Sequence, residues 1–119
     1  MRPKIINQDI IWPILINRES ISFGAYIRQL RISRKEPLRK IAAELDIDPS
    51  TLGKIERNKR KPSTEMINDL ARIFQVDHTE LMIKHLSDKI SDELKHLSFG
   101  QHVLKIAEIK ISNPETLKS

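Results

Sequence analysis

LRKIAAELDIDPSTLGKIER, residues 38–57, reads as two helical patterns with three residues between them. Leu38, Ile41, Ala42 and Leu45 recur at helical spacing, and so do Leu52 and Ile55. Pro37 suits the first turn of the first helix. Asp48 suits the N-cap of the second, with Pro49 at its first helical position. Ile47 precedes that cap and Leu52 falls four positions after it, the spacing of a hydrophobic staple. The connector Asp46-Ile47-Asp48 is short enough to force a steep crossing rather than an antiparallel pair. Such a corner needs one residue in the left-handed region, usually Gly, and Asp46 is an acceptable substitute. Ile47 then turns inward and pins the corner.

Working outward, the whole chain is patterned for helices. It has three glycines, and no run alternates over strand length. The expected helices are 22–33 (stripe Phe23, Ile27, Leu30), 37–45, 49–57, and 64–74 behind Ser63 (stripe Met66, Ile67, Leu70, Ile73, Phe74). A fifth starts after Asp77, where Asp77 to Glu80 has capping-box spacing, and runs on through Leu86, Ile90, Leu94 and Leu97 with a break near Ser87. A last helix is expected over 99–111, with Ser98 to Gln101 as its capping box and Asn113-Pro114 as its end. Residues 1–21 fit none of this. They read as an extension or extended arm whose Ile and Trp residues form a contact surface, as a poorly ordered tail, or as the product of an upstream start codon.

At 119 residues this is one domain, or a small one with extensions. A core built from half of it is marginal alone, which favours partner burial. No cysteine is present, so disulfides and thiolate zinc sites are excluded and a reducing compartment is the simple reading. The longest apolar run is broken by Pro13 and is too short to span a bilayer, and no signal peptide is legible. A cytoplasmic location is expected. Residues 28–61 carry eleven Lys or Arg against five acids, an excess of six, while the rest of the chain sums to −1. A net charge of +5 concentrated in one stretch points to a polyanion partner, the bland alternative being a solvated surface.

Residues 22–83 resemble the helix-turn-helix domain of the lambda repressor and Cro family. The matching segments are FGAYIRQLR, LRKIAAELDIDPSTLGKIERNKRKPS and MINDLARIFQVDHTELM, with the motif proper at 38–57. The fold class expected is all-α: a five-helix lambda-repressor-like DNA-binding domain with a C-terminal helical extension over 84–119. Asp46 and Asn58 stand where many members have Gly, and both types tolerate the left-handed region. Ile41, Ala42, Asp46, Ile47, Asp48, Leu52, Ile55, Glu56 and Asn58 are the expected structural positions of the motif. In the family pattern Glu56 points back into the domain and pairs with a basic residue of the first helix, Arg28 or Arg31 here.

The resemblance implies that the third helix enters the DNA major groove. Ser50, Thr51, Gly53, Lys54 and Arg57 are read as its outward positions. Ser50, Thr51 and Lys54 suit base edges, and Gly53 is read as allowing a close approach to DNA. The alternative for Gly53 is that it only weakens the helix, by roughly 1 kcal/mol against Ala. Arg57, Lys59, Arg60 and Lys61 are expected over one phosphate strand, and Arg39 and Lys40, at the start of the second helix, over another.

Other chemistry is poorly supported. None of the four histidines pair at i, i+3 or i+4, and no activated nucleophile or Gly-rich phosphate loop appears. No enzyme activity, metal or cofactor is expected. The expected partner is double-stranded DNA, bound as a homodimer over two half-sites about 34 Å apart. Residues 84–111 are the candidate dimer or protein-partner surface. The chain is also similar to small regulators found beside bacterial DNA methyltransferase and restriction genes. The rival reading is an antitoxin-like protein-binding module whose C-terminal segment binds a partner.

Overall fold

The computed structural model describes residues 21–113. Within them lie six helices and no strand: α1 Phe23–Ser33, α2 Leu38–Glu44, α3 Pro49–Glu56, α4 Thr64–Phe74, α5 His78–Leu94 and α6 Gly100–Ser112. The reading of residues 1–20 and of Pro114 lies outside the described residues. No helix among the described residues is long and apolar enough to cross a membrane.

Helix starts follow side-chain chemistry in three cases. The Ala25 amide donates to Ser22 Oγ at 3.1 Å, the Met66 amide to Ser63 Oγ at 3.1 Å, and the Glu80 amide to Asp77 Oδ2 at 3.0 Å. Asp48 is the N-cap of α3 and Pro49 opens the helix, as expected, although the Asp48 side chain makes no capping hydrogen bond. Three expectations are corrected. Pro37 is the N-cap of α2 rather than part of its first turn. Ser98 does not cap α6. Phe99 takes the N-cap, because Gly100 packs so tightly on the end of α5 that a β-carbon there would lie 2.4 Å from the Leu94 carbonyl oxygen. Helix α5 also runs through Ser87 without the expected break.

The first four helices end alike. Lys35, Asp46, Asn58 and Gln75 all have φ between 55° and 61°, in the left-handed region. In each case the next amide reaches back to a carbonyl five residues earlier: Glu36 to Arg31, Ile47 to Ala42, Lys59 to Lys54, and Val76 to Ala71. This is the Schellman closure, which satisfies carbonyls that the helix leaves unpaired. No glycine is used at any of the four ends; no glycine has a positive φ.

The chain divides into two units, one ending at His85 and the other beginning at Leu86. The first has a single core of Phe23, Ile27, Ile41, Ala42, Leu45, Leu52, Ile55, Ile67, Leu70, Ala71, Phe74 and Leu81, drawn from all of α1 to α4 and the start of α5. Helix α3 packs on both α1 and α2. In the second unit Gly100 is the one buried residue among those described. Nine of the eleven large apolar side chains exposed among the described residues lie there, from Leu86 to Ile111. Its stripe of Val103, Leu104, Ala107 and Ile111 on α6 has helical spacing and no core beneath it.

The left-handed closures lead to a stability prediction. Replacing Lys35 or Gln75 by Gly relieves a side chain strained at positive φ. Each change is expected to raise the unfolding free energy by about 0.5–1 kcal/mol. Urea titration with an unchanged m-value is the check.

Candidate nucleic-acid interface

The turn between α2 and α3 takes the form that its sequence suggests. Asp46 adopts φ 59°, its amide bonds to Ala43 O, and Ile47 is half-buried against the core. Leu52 and Ile55 on α3 are buried, at 0% and 1% exposure, and hold the helix to the body. Burying two such side chains contributes on the order of 3–6 kcal/mol of hydrophobic stabilisation.

The far end of α3 is held by polar groups. Glu56 is buried, and its carboxylate accepts from Arg31 Nε at 2.7 Å and from Arg31 Nη2 at 3.0 Å. Of the two candidate partners, Arg31 makes the pair, while Arg28 is exposed. The bond to Glu56 holds the Arg31 guanidinium above its already high ordinary pKa. Its remaining amine donates to the Glu36 carbonyl at 3.0 Å, so the half-buried cation is well satisfied.

Asn58 closes the other side of the junction. Its Oδ1 accepts from the Gly24 amide at 3.3 Å, and its Nδ2 donates to Ser22 Oγ at 2.8 Å. Ser22 thus caps α1 and receives Asn58 at once. Gly24 makes this possible: a β-carbon there would lie 2.2 Å from the Ile55 carbonyl oxygen and 2.7 Å from that of Glu56. The sequence reading missed Gly24, although an isolated Gly inside a helix pattern is a signal of close backbone approach.

The positions of α3 expected to face DNA are placed as follows. Ser50 and Lys54 are exposed, Thr51 is half-buried, and Arg57 is exposed at the end. Gly53 departs from expectation. It is buried, with Leu38 Cδ2 and Arg57 Nη1 within 3.6 Å and 3.2 Å of where a β-carbon would stand. Its reading as an outward position is therefore corrected: the α2–α3 crossing and the folded-back arginine cover it. Lys59, Arg60 and Lys61 follow as an exposed loop, and Arg39 is exposed on the first turn of α2.

These cations are not equivalent. Arg39, Lys54, Arg57, Lys59 and Arg60 have no carboxylate partner among the described residues. Lys40 does: its Nζ lies 2.8 Å from Glu36 Oε1, which raises the Lys40 pKa and lowers that of Glu36 through the shared hydrogen bond. Arg34, counted in the basic stretch, also has a structural role. It donates to the Ile73 carbonyl at 2.7 Å and lies over the Phe74 ring at 5.6 Å, capping the end of α4. No group of three or more His, Asp or Glu among the described residues is placed to hold a metal ion.

A short corner between two crossed helices, a second helix held by its inner face, and polar and basic groups on its outer face describe one known architecture. The helix-turn-helix family model matches residues 27–81. Over these residues the match is to the lambda repressor/Cro-like helix-turn-helix family. No curated protein matches the chain. Among solved structures, the clp gene regulator ClgR from Corynebacterium glutamicum is similar at 20% identity and a TM-score of 0.49, over 78% of this chain and 92% of that one.

The ion pair gives a stability prediction for this domain. Arg31→Ala leaves the Glu56 carboxylate buried without its partner and is expected to cost about 3–5 kcal/mol. Arg28→Ala, at an exposed position one turn away, should stay within about 0.5 kcal/mol of the parent. Denaturant titration of both variants checks the contrast.

Proposed function

We propose that the protein is a sequence-specific regulator of transcription that binds double-stranded DNA through α3 and acts by occupying an operator, as a repressor or autoregulator. The family supports DNA binding and regulation. One observation carries the reading of the surface. The residues that hold α3 lie on its inner side, while Ser50, Thr51, Lys54 and the unpaired cations Arg57, Lys59 and Arg60 gather on its outer side and in the loop that follows. A buried anchor with an outward cationic and hydroxyl-bearing face suits a groove lined by phosphates and base edges. In this reading Lys54, Ser50 and Thr51 contact bases. Arg57, Lys59, Arg60, Lys61 and Arg39 contact phosphates, and Lys40 does so in competition with Glu36.

The same reading makes the protein a cytoplasmic homodimer. One α3 reads only a few base pairs, and two half-sites give the needed specificity. The exposed apolar side chains from Leu86 to Ile111 support 84–111 as the surface between two copies. The link to a restriction-modification or methyltransferase locus rests on the sequence resemblance, and genome neighbourhood tests it. The antitoxin reading expects a C-terminal segment ordered only by its partner. The regulator reading expects α6, Gly100–Ser112, to be helical in the free protein, and missing helical tail signals in its NMR spectrum would favour the antitoxin.

Selection of bound duplexes from a random pool at moderate salt is the primary test, with enriched, palindromic sequences as the expected outcome. Recovery of an unenriched pool would sink the proposal. With about six phosphates neutralised per protomer, log affinity is expected to fall with log salt at a slope near −5 per protomer. Lys54→Ala should cost on the order of 1–3 kcal/mol at particular base pairs, whereas Lys59→Ala should weaken all duplexes about equally and flatten the slope. Identical behaviour of the two variants contradicts the division of roles.

A further inference from the structure

Gly53 belongs by position to the reading helix, yet it is buried, and the groups that cover it are Leu38 from α2 and the guanidinium of Arg57. Positions 53 and 57 are one helical turn apart, and long side chains on a helix lean toward its N-terminus. Arg57 therefore folds back along α3, and its Nη1 comes within 3.2 Å of where a β-carbon of residue 53 would stand. Any side chain at 53 would occupy that space. No carboxylate among the described residues holds Arg57 there.

We infer that Gly53 is a positioning residue for DNA binding: its missing side chain is the seat that keeps the Arg57 guanidinium low against α3, beside the first turn of α2, where it meets a phosphate of the DNA backbone. The inference rests on the reading that the outer side of α3 faces DNA. It departs from the idea that Gly53 lets DNA approach, because the space above Gly53 is filled by the protein's own arginine. A planar guanidinium with forked donors suits a phosphate only in a limited set of orientations, so its placement matters more than its charge.

The role can be separated from folding. The group that an alanine methyl would meet is the tip of a flexible side chain, and Leu38 at 3.6 Å is in ordinary contact. Alanine is also the better helix former. Gly53→Ala should thus melt at or above the parent temperature while binding DNA less well, and a purely structural glycine would not give that combination.

The test is a double-mutant cycle of the parent, Gly53→Ala, Arg57→Ala and the double variant. Affinity is measured by fluorescence anisotropy on one labelled duplex from the random-pool selection at fixed salt, with thermal unfolding alongside. Gly53→Ala is expected to weaken binding by about threefold or more, and to add nothing further in the Arg57→Ala background. The Arg57 Nε–H NMR resonance of the free protein should also shift in Gly53→Ala. Parental affinity of Gly53→Ala, an equal loss in both backgrounds, or full binding by Arg57→Ala would each overturn the seat while leaving DNA binding by α3 intact. Failure of the parent to bind any selected duplex would instead remove the DNA reading and the seat together.

Discussion

The ion pair between half-buried Arg31 and buried Glu56 sets where α3 can lie. Leu52 and Ile55 fix which face of that helix is inside, but apolar contacts are non-directional and leave its tilt loosely specified. The two parallel hydrogen bonds from one guanidinium to one carboxylate are directional, and they act at the end from which the basic loop departs. Asn58 and the bare backbone of Gly24 complete this junction by letting α1 and the end of α3 come into backbone contact. The outer face of α3 inherits its position from this inner, mostly polar, joint.

The joint also shows that charge counting misleads. Arg31 is a half-buried strut, Arg34 caps α4 through the Ile73 carbonyl, and Lys40 is shared with Glu36. Burial and pairing sort cations into those whose charge is already matched and those that still face water. A charge that is already matched has little to gain from a distant anion. The surface available to a polyanion is thus narrower than the basic stretch of the sequence, and it is centred on α3 and the loop after it.

Much of the fold was legible because its signals are local. Cap residues, proline positions and apolar spacing placed all six helices to within a residue or two, except that α5 ends at Leu94, short of the Leu97 stripe, and the left-handed turn at Asp46 followed from the shortness of the connector. The misses came where a distant element decides. Whether Arg28 or Arg31 meets Glu56 depends on the crossing of α1 and α3, which spacing along one helix does not encode. Gly53 sits within a helix whose outward side was inferred from residue type, and its burial depends on Leu38 and on an arginine rotamer. Ser98 had the right partner spacing for a cap and lost to the tight packing of Gly100 on Leu94. Lys35 and Gln75 gave no hint, since neither residue type is favoured at positive φ.

The separation of faces on α3 also bears on how such a protein can diverge. Residues that keep the domain folded, Leu52, Ile55 and Glu56, share no surface with Ser50 and Lys54, which carry little folding energy because they remain exposed. Substitutions at the exposed positions are close to neutral for stability. Under the proposed reading, a descendant chain can therefore change the DNA sequence it addresses in a few steps without passing through an unfolded intermediate. The scaffold is conservative and its address is free to drift.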